Sequence, residues 1–100
     1  MSNEVIAKSV VKRLSKLKKS LSVAESISGG GLASTLTQIP GSSKVFFGGV
    51  IAYSDEVKIN HLSVSKSDLK KYGAVSEEVV LEMAHSCLKK FKTDYALATT

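Results

Sequence analysis

The stretch Ser22-Val23-Ala24-Glu25-Ser26-Ile27-Ser28-Gly29-Gly30-Gly31-Leu32-Ala33 constrains this chain more than any other. It reads as the end of a strand, a turn of small residues and the start of a helix. Such a turn lifts hydroxyls and unpaired backbone N–H groups to the carboxyl edge of a sheet, where the positive end of a helix attracts anions. Open α/β sheets bind ligands outside the carboxyl ends of their strands, so a site is expected around Ser26. Glycines inside a helix cost roughly 1 kcal/mol each. Three in a row point to a close backbone approach, either to a ligand or to a neighbouring element.

The remaining elements follow from periodicity and punctuation. Ile6, Val10, Leu14 and Leu17 recur at helical spacing, which predicts a helix from near Asn3 to Lys19 with that stripe inward. Leu21 to Glu25 is a short strand, and the next helix starts at Gly29 or Gly30 and runs to about Gln38. Pro40 and Gly41 break the chain. The nearly continuous apolar run from Val45 to Tyr53 predicts a strand covered on both faces. Its Gly48-Gly49 pair marks a bulge or a close backbone approach. Ser54 caps a short helix from Asp55 to about Leu62. A second short helix spans Ser65 to Tyr72 and is closed by Gly73. Ser76 caps a long helix to about Phe91, with the stripe Val80, Ala84, Cys87 and Phe91. Asp94 to Thr100 is a last strand. Strands alternating with helices place the chain in the α/β class, as a three-layer α/β/α sandwich with a small, mostly parallel sheet.

One hundred residues make one domain, 1–100, able to bury roughly two-thirds of its unfolded surface. Apolar residues at 43% and charged residues at 23% fit an ordinary globular chain rather than a disordered one. The single cysteine, Cys87, excludes an internal disulfide and suits a reducing compartment. No continuous apolar run suggests a signal peptide or a membrane helix, so the expectation is a cytoplasmic protein with no membrane partner. The short sheet suggests completion by further sequence or by another subunit, hence a homo-oligomer.

Six of the fourteen basic residues precede Leu21, and the formal net charge is +5. Lys8, Lys12, Lys16 and Lys19 share one helix face. That face is either a start for nucleic-acid binding or a solvated side opposite a packed stripe. No aromatic residue stands among those lysines to stack on bases, so nucleic acid is not the expected partner.

Ser26 as a nucleophile needs a base. His61 and His85 lie on helices where spacing gives neither a route to it. Ala24 and Ser28 stand where a G-x-S-x-G elbow has glycines, and neither G-K-[ST] nor G-x-G-x-x-G is present. Local pattern alone leaves Ser26 open as a helix-capping or anion-binding serine. Tyr53 ends the apolar strand, and Lys58 sits on the first turns of the helix that follows. An ammonium beside a phenol favours the phenolate, so the two could form a base without histidine, or be simply rim and surface. Glu25 could orient Lys58 or a ligand hydroxyl, or bond backbone N–H groups. Gly41-Ser42-Ser43 is either a small anion cradle or an ordinary turn.

Several blocks together resemble a known family. Ala24-Glu25-Ser26-Ile27-Ser28-Gly29-Gly30, Pro40-Gly41-Ser42-Ser43, Phe47-Gly48-Gly49-Val50-Ile51-Ala52-Tyr53-Ser54, Lys58, Gly73-Ala74-Val75-Ser76-Glu77-Glu78 and Asp94 to Thr100 look like the CinA C-terminal domain, the nicotinamide-nucleotide amidohydrolase family. The resemblance implies hydrolysis of the carboxamide of nicotinamide mononucleotide to nicotinate mononucleotide and ammonia, in pyridine-nucleotide recycling. It implies Ser26, Tyr53 and Lys58 as catalytic residues and no metal or organic cofactor. Glu25, Ser28, Gly29, Gly30, Gly41, Ser42, Ser43 and Thr100 are the expected substrate-binding positions. N–H groups at the Gly29–Gly31 helix start would hold the oxyanion. Ile27 stands where many members carry a small or polar residue, and Ser28 where threonine is usual. Members continue past the equivalent of Thr100 with a T-G-x-A-G-P loop and further elements, so this chain corresponds to the first part of the family domain. The other readings are a nucleotide-binding module without turnover, and a competence- or damage-associated paralogue working with nucleic acid.

Overall fold

Three parallel strands in the order β2-β1-β3 form the middle layer. The computed structural model describes residues 2–100. Its elements in chain order are α1 (Asn3–Leu17), β1 (Leu21–Glu25), α2 (Gly31–Thr37), a single 3-10 turn (Ser42–Lys44), β2 (Phe46–Ile51), α3 (Asp55–Leu62), α4 (Lys66–Tyr72), α5 (Glu77–Phe91) and β3 (Tyr95–Ala98). The fold is the expected α/β sandwich. Parallel strands need a crossover between them, and α2 and then α3–α5 provide the two crossovers.

Serines start the helices where the sequence put them. The hydroxyls of Ser54, Ser65 and Ser76 accept from the N–H groups of Val57, Asp68 and Val79, three residues on in each case. Each cap satisfies a donor that the first turn cannot bond internally.

The core divides by sheet face. Leu21 and Val23 of β1 pack with Ala7, Val11, Leu14, Leu36, Ile39 and Val45 under α1 and α2. Ala24 packs with Ala52, Leu62, Val64, Val79, Met83 and Cys87 under α3 and α5. Successive residues of a strand point to opposite faces, so β1 feeds both clusters in alternation. All five of its residues are buried, as befits the central strand.

Three packing expectations change. In α1 the inward residues are Ala7, Val11 and Leu14, while Ile6 and Leu17 remain 46% and 49% exposed. The Ile6 side faces β3, whose Leu97 is equally uncovered, and the two line one groove. In α5 the buried residues are Val79, Met83 and Cys87, one position off the expected Val80 and Ala84. The strand from Phe46 to Ile51 is not covered on both faces: it is an edge, and its residues alternate between half-buried and exposed. Phe47 sits opposite the register shift between Leu21 and Ser22, where the ladder is irregular. Gly49 lies against β1 so closely that a Cβ there would overlap the Val23 carbonyl, which explains the glycine.

Candidate active site

Strand alternation sets the site. Leu21, Val23 and Glu25 take the α1–α2 face of β1, while Ser22 and Ala24 take the α5 face. Ser26 follows in that second series, just past the carboxyl end of the strand. Its hydroxyl is buried and meets Lys58, the fourth residue of α3. Lys58 is 1% exposed, and its Nζ donates to Ser26 Oγ at 2.9 Å, to the Ala52 carbonyl at 2.9 Å and to the Tyr53 carbonyl at 3.2 Å. An amine holding three acceptors has no freedom to swing away. Ala52 is itself fixed, because its N–H bonds the Glu25 carbonyl across the β1–β2 edge at 2.7 Å.

Glu25 turns the other way and caps α2. Its two carboxylate oxygens accept from the N–H groups of Leu32 and Ala33, both at 2.8 Å. Burial pushes its carboxyl up, but bonds from the Ser28 hydroxyl and the Ala33, Leu32 and Gly30 N–H groups outweigh that. They hold it below the usual carboxylate range. Glu25 thus does the second of the two things its sequence position allowed: it bonds backbone N–H groups rather than Lys58.

The N–H groups of the turn can be accounted for one by one. Ser26 N–H bonds the Thr99 carbonyl at 3.1 Å and its hydroxyl at 3.2 Å. Gly29 N–H bonds the Ser26 carbonyl, and Gly31 N–H bonds the Ser28 carbonyl. Gly29 and Gly30 have φ of 57° and 100°, the left-handed region that lets the chain reverse here without strain. The start of α2 is therefore occupied by Glu25 and by the turn itself. Ile27 and Ser28 carry the N–H groups of this turn that find no acceptor among the described residues, apart from that of Gly30 beside the Glu25 carboxylate.

Of the other expected residues, the structure brings some to Ser26 and separates others. Tyr53 contributes its carbonyl, while its side chain is 76% exposed, because β2 ends at Ile51 and Tyr53 lies beyond the sheet. Ser28 reaches the site edge, with its hydroxyl 2.7 Å from that of Thr99. Thr100 donates to the Ala74 carbonyl at 2.7 Å and so ties the end of β3 to the loop before α5. Gly41, Ser42 and Ser43 lie at the opposite edge of the sheet. Val45 N–H bonds Ser42, and the Val45 carbonyl accepts from Leu21, the first residue of β1. A crossover helix carries the chain back to the amino edge, so this turn does not join Ser26 within the chain. His61 and His85 are exposed.

Two residues of the site escaped the sequence reading. Thr99 is beside Ser26 because β1 and β3 are parallel with Ala24 opposite Ala98. Register of that kind is readable once the pairing is known. The Ala52 carbonyl, which anchors Lys58, leaves no sequence signal. At the far end of β1 a separate polar group, Ser22 with Thr93 at 2.8 Å and the Cys87 thiol at 3.3 Å, satisfies buried hydroxyls below the sheet. Among the described residues no three His, Cys, Asp or Glu side chains are grouped to hold a metal ion, and no helix is long and apolar enough to cross a membrane.

Residues 3–100 match the sequence model of the CinA C-terminal domain. The chain belongs to that family. A CinA-like protein of Pseudothermotoga lettingae is 47% identical over 98 residues, and one of Thermotoga neapolitana is 46% identical over 98. Each match covers 98% of this chain and 24% of the relative, so the chain spans about a quarter of those proteins. The crystal structure of a competence-damaged protein (CinA) superfamily protein from Escherichia coli superposes with a TM-score of 0.97 at 34% identity, covering 99% of this chain and 58% of that one. A competence/damage inducible protein from Agrobacterium tumefaciens gives 0.94 at 35%, covering 98% and 62%.

Proposed function

We propose that this CinA-family chain carries the nucleophile and base of an amidohydrolase acting on nicotinamide mononucleotide, with nicotinate mononucleotide and ammonia as products. The observation that carries the chemistry is the buried 2.9 Å contact from Lys58 Nζ to Ser26 Oγ. The pyridine-nucleotide substrate rests on the family resemblance.

Once Lys58 has released to water the proton it points at Ser26, its two remaining N–H groups stay on the Ala52 and Tyr53 carbonyls; its lone pair then takes the Ser26 proton, and Ser26 Oγ attacks the amide carbon. The N–H groups of Ile27 and Ser28, with no acceptor of their own, take the place expected of the Gly29–Gly31 helix start. They hold the oxyanion, where one donor is typically worth about 3 kcal/mol. The Lys58 ammonium then gives its proton to the departing nitrogen, and ammonia leaves an ester on Ser26. Lys58 takes a proton from water, hydroxide adds to the ester, and nicotinate mononucleotide leaves as Ser26 recovers its hydrogen from Lys58. Tyr53 serves through its carbonyl, which fixes Lys58, rather than as the proton acceptor. No cofactor enters these steps.

The test is ammonia release from the mononucleotide. Ser26→Ala and Lys58→Ala are each expected to lower kcat by about 10⁴-fold. Tyr53→Phe should leave it within a few-fold. Equal rates for Ser26→Ala and the parent chain exclude serine catalysis. Thermal stabilisation by the mononucleotide without ammonia release supports a binding module instead.

A further inference from the structure

The charge of this chain is not spread evenly. Residues 1–54 carry seven Lys and Arg against two carboxylates, and residues 55–100 carry seven of each, so the whole net charge of +5 belongs to the first half. Of those two carboxylates, Glu25 is buried and bonded to α2. Glu4, in the first turn of α1, is the other. The positive end of the molecule therefore has almost nothing to neutralise it.

The fold gathers this charge into one track at the amino edge of the sheet, away from Ser26. A groove of about 450 Å³ lies between α1 and the 3-10 turn, with Lys8, Lys12 and Lys16 on one wall and Pro40, Gly41 and Lys44 on the other. A second groove of about 410 Å³ continues it, sharing Ser15 and Lys44 and adding Lys18, Lys19 and Phe47. The negative end of α1 accounts for lysines in its last turn. It does not account for Lys8 and Lys12, which lie in the first three turns. Phe47 is the decisive addition. It is 59% exposed at the irregular step of β2, and it brings to the lysines the aromatic face that α1 lacks. Asp94 is the carboxylate of the second groove, and it is occupied by the N–H and hydroxyl of Ser20.

We propose that this track binds single-stranded nucleic acid, with the phosphates following Lys8, Lys12, Lys16 and Lys44 and one base stacking on Phe47. A basic groove with a stacking platform is the common design of sequence-tolerant single-strand binders. From Lys8 to Lys16 the helix advances about 12 Å at 1.5 Å per residue. That matches about four phosphates at the ~3.4 Å rise of one stacked strand. The proposal is independent of the amidohydrolase reading, because no residue is shared between the two sites.

The test is fluorescence anisotropy of a labelled fifteen-nucleotide oligothymidylate, titrated with the chain between 25 and 200 mM NaCl. Saturable binding is expected, with log K falling against log salt at a slope of about −3 for about four phosphates. The Lys12→Glu, Lys44→Glu double variant should weaken binding at least tenfold and flatten the slope. Phe47→Ser should weaken it roughly five- to hundredfold while leaving the slope unchanged. Ser26→Ala should bind as the parent does, whatever its effect on ammonia release. All of these side chains are exposed except Ser26, and circular dichroism confirms that each variant is folded. No binding at 25 mM salt overturns the proposal. So does equal affinity for Phe47→Ser, or equal displacement of oligonucleotide from parent and Phe47→Ser by inorganic tripolyphosphate, either of which marks a general polyanion patch. A nucleic-acid-free dimer abolished by Phe47→Ser overturns it as well, by assigning Phe47 to a second copy of the chain.

Discussion

Replacing Glu25 with Gln tests whether the turn before α2 is held by a carboxylate. The side chain is fully buried, and both oxygens accept backbone N–H groups at 2.8 Å. Hydrogen bonds to a charged group contribute about 1.5–3 kcal/mol each, and a charge at a helix start adds roughly 0.3–1 kcal/mol. Glutamine keeps one acceptor at neutral strength and turns an NH2 toward the other N–H. The expected loss is about 2–4 kcal/mol. In a domain of this size each kcal/mol shifts Tm by about 4–8 °C, so Tm should fall by roughly 10–25 °C at pH 7. The pH dependence follows from the sign of the shift. The native carboxyl lies below its ordinary value, so between the two values the unfolded chain binds more protons and stability rises with pH. That contribution is complete above the unfolded value and disappears as pH falls through the native one. Glutamine does not titrate. The Tm gap between parent and variant, followed by circular dichroism from pH 7 to pH 2.5, should therefore be widest at neutral pH and close in acid. A variant melting within 3 °C of the parent at pH 7, or a gap that does not narrow in acid, would refute the reasoning.

Gly49→Ala should destabilise by at least about 2–3 kcal/mol, because its Cβ would force β2 away from the Val23 carbonyl; a urea midpoint unchanged from the parent would contradict that. Cys87 is buried, and burial pushes its thiol up against a smaller opposing effect of the Ser22 hydroxyl. Iodoacetamide at pH 8 should accordingly leave the folded chain unlabelled for hours and label it within minutes in 6 M guanidinium, as mass spectrometry can follow. Glu82 accepts from the Ser65 N–H at 3.0 Å, yet burial first and then the nearby Asp68 carboxyl raise it above its ordinary value. The native state then holds the extra proton, so the parent loses stability as pH rises through that raised value. Glu82→Gln should be free of this loss, and its Tm relative to the parent should rise between pH 4 and pH 8.

Features that depend on a few neighbouring residues were legible in the sequence. The serine caps of α3 and α5 need only a hydroxyl three residues before an N–H, and Gly48-Gly49 marked a bulge or a close approach, the latter found at Gly49 beside Val23. The meeting of Ser26 with Lys58 was expected near one rim, though through Tyr53 rather than directly. Tyr53 went astray because alternation stops governing side-chain direction once the strand ends at Ile51. The stripe of α1 went astray for a long-range reason. Ile6 and Leu17 are the larger side chains, yet what buries a helix face is the layer beneath it, and the sheet beneath that side ends at β3. Thr99 is likewise invisible until the parallel register beside β1 is known. The place of Gly41-Ser42-Ser43 was derivable, since any segment entering a parallel strand from a crossover helix must arrive at the amino edge.

Both proposed sites follow from that one-way sheet. Because all three strands point the same direction, their carboxyl ends deliver Ser26, the Ala52 and Tyr53 carbonyls and Thr99 to one rim. α1 leads into β1, so its basic C-terminal end lies at the other rim with Lys44 and Phe47. At the first rim, adjacent residues of β1 divide the work by pointing to opposite faces. Glu25 fixes the turn from the α2 side, and Ser26 meets Lys58 on the α3 side. Neither could exchange roles without moving every residue of β1 to the wrong cluster, since a one-residue slip would drive Leu21 and Val23 toward α5 and Ala24 toward α1. The register that builds the core is therefore the same register that aims Ser26 at Lys58, and a change that disturbs one must disturb the other.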